Sequence, residues 1–293
     1  VQTNSSQTQE WVLPANATPL NGSSYDSGSI FFVGTATVIL RYAGFTILTD
    51  PNFLHQGDHV HLGYGLRSQR RTNPAIEIEE LPPLDLVVLS HMHEDHFDRV
   101  AIEKLDKQVP IVSTPHAVKS LREKGFNKLQ DLAPWQSLTV RKGDSALTIT
   151  AMPGRHGPGL LAAALPPVMG SLLEFQEQGQ TRFCLYITGD TLVIEELKEI
   201  PKRYPNIDIA LLHLGGTKVF GVLLTMDAKQ GLEALQIIAP KLAIPIHYND
   251  YTVFKSPLED FVAAVEAAGL ESKVRYLNHG DTYTFEVAAA SPM

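Results

Sequence analysis

The chain of 293 residues holds a single cysteine, Cys184. That excludes an internal disulfide framework and any zinc site built on cysteine thiolates. No apolar run approaches the roughly 20 residues of a membrane-crossing helix. Basic residues are in the minority, with 24 Lys and Arg against 32 Asp and Glu, for a net charge of −8. A protein that binds nucleic acid by neutralising phosphates needs the opposite balance, so no nucleic-acid partner is expected. Charged residues make up 19% and hydrophobic ones 44%, ordinary values for a globular chain with a sizeable core. The length allows one large domain or two small ones.

What the sequence does have is histidine crowded into one place. Residues 90–98 read Ser-His-Met-His-Glu-Asp-His-Phe-Asp, directly after the apolar run Leu86-Val87-Val88-Leu89. The run predicts a buried strand, so the cluster opens the loop that follows it. Three imidazoles and a carboxylate at this density suit a borderline divalent metal. His91 and His93, two apart, can turn to one ion. Asp95 and His96 can turn to a neighbouring one. A solvated polar turn is the bland alternative.

Residues 1–28 are polar and rich in Ser, Thr, Asn and Gln, which predicts a poorly ordered or surface-wrapping tail ahead of a body spanning 29–293. Trp11-Val12-Leu13 is the part suited to pin it down. Glycosylation sequons begin at Asn4, Asn16 and Asn21 and matter only in a secreted eukaryotic protein. The first residue is Val1 rather than Met, as in a processed or trimmed chain, and no signal peptide is visible. A cytoplasmic location is slightly favoured, with a secreted or periplasmic one after signal removal as the alternative.

Further along, residues 30–33, 37–41 and 45–49 predict a meander of strands ending in Thr49-Asp50-Pro51. Residues 52–80 form a long connection carrying His55, His59, His61, Arg67, Arg70 and Arg71, and such loops often hold substrate contacts. Helices are expected at 98–105, 116–124 and 192–200. His116, near the start of the second, is assigned a structural role. Another helix is expected over 225–238 with Thr225 as its N-cap. A capping box over 256–259, with Pro257 at the first helical position, starts a last one that Gly269 closes. Strands are expected at 110–113, 137–140, 146–152, 183–188, 207–212, 242–246, 274–276 and 283–287. The apolar stretch 160–173, broken by two prolines, reads either as core packing or as a wall suited to a hydrophobic substrate. His91, His156, Asp190 and His247 each follow a β-rich segment closely, so rigid strands can fix ligands that converge from distant parts of the chain.

The His-rich stretch resembles the signature of the metallo-β-lactamase-fold hydrolase superfamily, and the resemblance covers about residues 29–287. It implies an α/β fold, a four-layer αββα sandwich of two mixed sheets flanked by helices. It also implies His156 as the third histidine of metal one, beside His91 and His93. Asp190, in Gly189-Asp190-Thr191, is implied as the carboxylate bridging two metals. His247, with Asp95 and His96, completes metal two, and Asp50 stands behind the ligands to orient one of them. Leu48-Thr49-Asp50-Pro51, Leu81-Pro82-Pro83-Leu84-Asp85 and Ile244-Pro245-Ile246-His247-Tyr248 resemble the branch of ascorbate-6-phosphate lactonase-like and N-acylphosphatidylethanolamine phospholipase D-like proteins. Thr35 stands where many members carry His. His93 stands where oxygen-reducing di-iron relatives carry Glu, which favours hydrolysis over redox chemistry.

The expected function is therefore a metallohydrolase holding two divalent ions, zinc in preference to manganese or iron. Hydroxide generated on the metals would cleave a lactone, ester or amide carbonyl of a small molecule. Asp95 would carry a proton to the leaving group. Tyr248, with Tyr251 or His213 as alternatives, would help hold the oxyanion. Arg67, Arg70 and His213 are the candidate substrate contacts. The arginines keep a phosphodiesterase alternative open, and a metal-binding scaffold with little turnover is the alternative of another class. A homo-oligomer is compatible with the sequence.

Overall fold

The structure, a computed structural model, describes residues 9–14, 25–62, 65, 67–159, 162 and 164–288. The sequons at Asn4, Asn16 and Asn21 lie outside the described residues. The chain enters through β1 (Gln9–Leu13) and forms a meander of β2 (Ser27–Gly34), β3 (Thr37–Tyr42) and β4 (Phe45–Thr49). A small hairpin, β5 (His59–His61) and β6 (Arg67–Gln69), interrupts the way to β7 (Leu86–Val88). Then follow α1 (Arg99–Lys104), β8 (Ile111–Ser113), α2 (Pro115–Glu123) and β9 (Leu129–Asp131). The second half opens with β10 (Ser137–Lys142), β11 (Ser145–Met152), β12 (Gly170–Glu177) and β13 (Gln180–Ile187). It continues through α3 (Glu199–Arg203), β14 (Ile209–His213) and a hairpin of β15 (Lys218–Val219) and β16 (Val222–Leu223). α4 (Ala228–Ile238), β17 (Leu242–Ile246), α5 (Leu258–Ala267) and β18 (Thr282–Glu286) complete it.

Two seven-stranded sheets result, in the orders β18-β2-β3-β4-β7-β8-β9 and β1-β10-β11-β12-β13-β14-β17. Each has an antiparallel run and a parallel run, β18 to β4 then β4 to β9 in the first and β10 to β13 then β13 to β17 in the second, and β1 adds a parallel edge to the second. Side-chain alternation explains the layering. On β4 and β7, Ile47, Leu86 and Val88 turn into the core shared with Leu147, Leu173 and Leu185 of the other sheet. Their neighbours Leu48 and Val87 turn the opposite way, against Ala101 of α1 and Leu121 of α2. Strands buried on both faces read as continuous apolar runs, as these do.

Several local expectations shift. β1 pairs parallel with β10 and places Trp11 against the core, so part of the polar tail is a sheet edge. Residues 170–173 of the apolar stretch belong to β12. Residues 195–198 form a 3-10 turn before α3. α4 is capped by Asp227, whose Oδ1 accepts the Gln230 N–H at 3.0 Å, while Thr225 Oγ1 accepts the Thr217 N–H instead. α5 has Pro257 at the N-cap position, and Ser256 Oγ serves the neighbouring helix by accepting the Ala228 N–H. Val274 makes an isolated bridge to Ala243 rather than a strand.

Candidate metal centre

Parallel strands deliver their following loops to one end of the sandwich, where side chains from separate elements can meet. After β7 the chain makes a tight turn, with the His96 and Phe97 N–H groups both donating to the His93 carbonyl. Asp98 locks this turn. It caps α1 through the Ala101 N–H at 2.8 Å and accepts the N–H groups of Phe53 and Leu54 from the loop after β4.

Within this frame His91, His93 and His156 bring one ligand atom each within 4.8 Å of one another, and all three are buried. His91 Nε2 lies 3.0 Å from His93 Nδ1. Asp95, His96, Asp190 and His247 form a second buried group of the same kind. Asp190 stands between the two: Oδ2 is 3.0 Å from His96 Nε2 and 4.0 Å from His91 Nε2, and Oδ1 is 3.5 Å from His247 Nε2. Asp95 Oδ2 faces His247 Nε2 at 3.4 Å and His96 Nε2 at 3.8 Å. The turn that carries Asp190 depends on Gly189, at φ +64°, where a Cβ would sit 2.6 Å from the Met169 carbonyl oxygen.

The far nitrogens of the rings are fixed from behind, which sets the tautomer and aims Nε2 inward. His156 Nδ1–H donates to the Leu224 carbonyl and His247 Nδ1–H to the Leu214 carbonyl, each at 3.1 Å. His96 Nδ1–H donates to Asp50 Oδ2 at 2.9 Å. Asp50 also accepts from Ser90 N at 2.7 Å and Ser90 Oγ at 2.8 Å, and Ser90 Oγ reaches His91 Nδ1 at 3.0 Å. A single carboxylate thus braces both halves of the cluster.

The electrostatics divide it. Burial and the neighbouring imidazoles hold His91 well below the usual imidazole range and bring His93 down to about 4; burial lowers His156 as well. These rings are neutral and ready to ligate. Burial would also depress His96, but Asp190, Asp95 and Asp50 outweigh it and carry its pKa well above the ordinary value. Burial would raise Asp50, yet His96 and His213 pull it down to about 2.

The donor set fits a divalent cation on an independent count. Asp95 Oδ1, His96 Nε2, Asp190 Oδ1 and His247 Nε2 are buried without a hydrogen-bond partner among the described residues. Each such orphan costs about 1–3 kcal/mol unless something answers it. Here the orphans converge on one another, and imidazole nitrogen with carboxylate oxygen is the ligand chemistry of zinc, manganese or iron.

Other residues singled out in the sequence lie elsewhere. Arg70 is 1% exposed, donates to the Thr72 carbonyl, lies over the Tyr251 ring and does not line the cavity described below. Arg67 is exposed on β6 and does not line the cavity described below. His213 is fully buried behind the cluster, with Nε2 3.4 Å from Asp50 Oδ2. Tyr248 donates its hydroxyl to the Leu277 carbonyl at 2.8 Å and Tyr251 to Asn52 Oδ1 at 2.9 Å, and neither lines the cavity described below. Thr35 works through its backbone: its carbonyl accepts the His247 N–H at 2.6 Å and its N–H donates to Asp250. Sequence reasoning missed Ser90, Asp98 and the carbonyls of Leu214 and Leu224. The D-x-x-[apolar] step into α1 could have flagged Asp98 as a cap, but backbone carbonyls carry no side-chain signal.

A cavity of about 500 Å³ opens over the cluster, with His93, Asp95, His156 and Asp190 in its lining. Its walls include Leu62, Leu165, Val219, Phe220, Val222 and Leu224. No Lys or Arg lines it among the described residues.

Two packed mixed sheets with a buried His/Asp cluster at one end are the mark of a metallo-β-lactamase-fold metal protein. The family profile for the Beta-lactamase superfamily domain matches residues 46–248. A UPF0173 metal-dependent hydrolase of Ignicoccus hospitalis is 31% identical over 216 residues, covering 69% of this chain and 79% of that protein. One from Pyrobaculum islandicum is 28% identical over 258 residues, covering 86% and 98%. Among solved structures, an isothiocyanate hydrolase from Delia radicum gut bacteria aligns with a TM-score of 0.74 at 22% identity, over 88% of this chain and 99% of that one. The chain belongs to the beta-lactamase superfamily and, within it, to the UPF0173 metal-dependent hydrolases.

Proposed function

We propose that this metal-dependent hydrolase cleaves an uncharged carbonyl substrate, a lactone, ester or amide, at a centre of two divalent ions, zinc foremost. His91, His93 and His156 would hold one ion, Asp95, His96 and His247 the other, with Asp190 between them. Bound there, such ions supply Lewis-acid polarisation of the carbonyl and acidify water to near neutral pH. The protein's own contribution is orientation and proton transfer. The Leu214 and Leu224 carbonyls hold two imidazoles in one tautomer. Asp95 lines the cavity, and its carboxylate would take a proton from the attacking water and return it to the leaving group.

The observation that carries this reading is the cavity lining. Carboxylates and imidazoles form its floor, its walls are apolar, and no Lys or Arg lines it among the described residues. Two ions could themselves grip a phosphodiester's oxygens, so the lining favours an uncharged substrate through its apolar walls and its lack of a further Lys or Arg among the described residues. The electrophilic carbon of an isothiocyanate, the substrate named for one structural neighbour, is likewise uncharged and belongs in the same screen. The test is turnover of esters, lactones, amides, isothiocyanates and phosphodiesters by the metal-reconstituted protein, repeated after chelation. Chelator-sensitive hydrolysis of carbonyl substrates is expected. Turnover of phosphodiesters alone, or of nothing in the screen, would overturn the reading.

A further inference from the structure

One segment, residues 214–226, braces a histidine in each half of the centre. At its start the Leu214 carbonyl fixes His247, and near its end the Leu224 carbonyl fixes His156. The segment is closed on itself by Gly216 N–H to the Met226 carbonyl, Thr217 N–H to Thr225 Oγ1 and Leu224 N–H to the Thr217 carbonyl. Between these ties it projects the β15–β16 hairpin, in which Lys218 pairs with Leu223 and Val219 with Val222. The two turn residues, Phe220 at φ 48° and Gly221 at φ 81°, have the left-handed geometry of a tight two-residue hairpin turn.

The hairpin's chemistry is unusual for a surface. Three large hydrophobic side chains are exposed among the described residues, and two of them, Phe220 and Val222, are here. Phe220 is 91% exposed, yet it lines the cavity that leads down to His93, Asp95, His156 and Asp190. Leu62 and Leu165 face the same cavity from other parts of the chain. An aromatic ring left in water beside a reactive centre has surface to bury only when a partner arrives.

We infer that the cavity takes a substrate with a lipophilic group next to its reactive carbonyl, and that Phe220 on the β15–β16 hairpin is the specificity-determining residue that closes over that group. The inference rests on the carbonyl-hydrolase reading of the centre for the position of the reacting carbon. The occupant is the substrate's own alkyl or aryl chain, because the apolar walls are continuous with the metal cluster at the floor. Burying part of one aromatic face against such a chain changes affinity by about tenfold.

The experiment uses the metal-reconstituted full chain as wild type, Phe220→Ala and Phe220→Trp, with metal content checked in each. Acetohydroxamate and octanohydroxamate are titrated by calorimetry, since both carry the same chelating head. In parallel, kcat/KM is measured on acetate and octanoate esters of one alcohol. Wild type should bind octanohydroxamate at least about tenfold more tightly than acetohydroxamate. Phe220→Ala should reduce that preference by about tenfold with metal content unchanged, and Phe220→Trp should keep it. Equal affinities in wild type, including no measurable binding of either, would overturn the inference, as would an undiminished preference in Phe220→Ala. The hydroxamate preference reduced in Phe220→Ala with no ester turned over would support the cavity assignment and count against carbonyl hydrolysis. Chelator-sensitive ester hydrolysis with no dependence on chain length would do the reverse.

Discussion

Asp50 never touches the cavity, yet its carboxylate accepts from His96 Nδ1, Ser90 N and Ser90 Oγ. It holds these from a left-handed backbone at φ 33°, a conformation that short carboxylates tolerate better than most side chains. Asn has the same shape but only one accepting oxygen, so Asp50→Asn should fold and still lose its grip on His96. Orientation from behind of this kind is worth roughly 10–100-fold in metal affinity. A chelator-competition titration should show a loss in that range, and an affinity equal to wild type would remove Asp50 from the centre. His93 makes a second prediction, about the metal-free protein. Burial and the His156 imidazole lower its pKa to about 4. The unfolded chain binds that proton near pH 6.5 and the folded chain refuses it until about pH 4, so the unfolded state binds more protons across that window. Folding stability from this group is therefore intact above pH 6.5 and falls as pH drops toward 4, by up to about 3 kcal/mol. Urea unfolding of metal-free wild type and His93→Gln at pH 7 and pH 4.5 checks the sign. Wild type should lose more stability on acidification than the variant, and parallel losses would refute the assignment.

Elements, rather than single residues, decide where the ligands point. Asp98 is the joint between the loop after β4 and the start of α1, through its bonds to Phe53 N, Leu54 N and Ala101 N. Asp98→Ala removes one N-cap and strands two buried N–H groups, which costs roughly 2–4 kcal/mol. Thermal or urea unfolding should show it, together with weaker metal retention because His91 to His96 ride on the same turn. A change under about 0.5 kcal/mol, the level of an ordinary surface substitution, would mean that the turn does not depend on this joint. Much of this scale was legible in the sequence. Unbroken apolar runs such as Ile47-Leu48 and Leu86-Val87-Val88 predict strands that serve two layers, because a strand buried on both faces has no polar side to alternate with. His156, Asp190 and His247 were picked out by the resemblance to the superfamily, and the β-rich segment before each agreed with it. What stayed hidden depends on partners far along the chain. Thr225 and Asp227 are both good caps, and only the tertiary bond from Thr217 N–H to Thr225 decides between them. Arg70 in a long polar loop reads as a substrate contact until Tyr251, some 180 residues on, is seen beneath it. β12 was masked because its first residues run on from an apolar, proline-broken loop with no turn signal between them.

At the scale of the molecule the cluster joins the two halves of the sandwich. His91, His93, Asp95 and His96 follow β7 in one sheet, whereas His156, Asp190 and His247 follow β11, β13 and β17 in the other. The sheets are already held by the core between them, but at this end they meet through imidazoles and carboxylates whose buried atoms lack partners. Cations bound there act as cross-links that exist only in the folded state, because the unfolded chain separates the ligands by up to 156 positions, from His91 to His247. Binding linkage then sets the size of the effect: at a free metal concentration a thousandfold above Kd, one ion stabilises folding by about 4 kcal/mol. For a chain of this size that corresponds to a rise in Tm of roughly 6–8 °C, before a second ion adds its share. Differential scanning calorimetry of the reconstituted protein, with and without prior chelation, should show a drop of that order, reversed by returning metal. His91→Ala should show a smaller drop, because one group of ligands is already broken. A chelator-insensitive Tm in a protein that demonstrably carries metal would mean that the ions sit on the surface of one half and do not hold the sheets together.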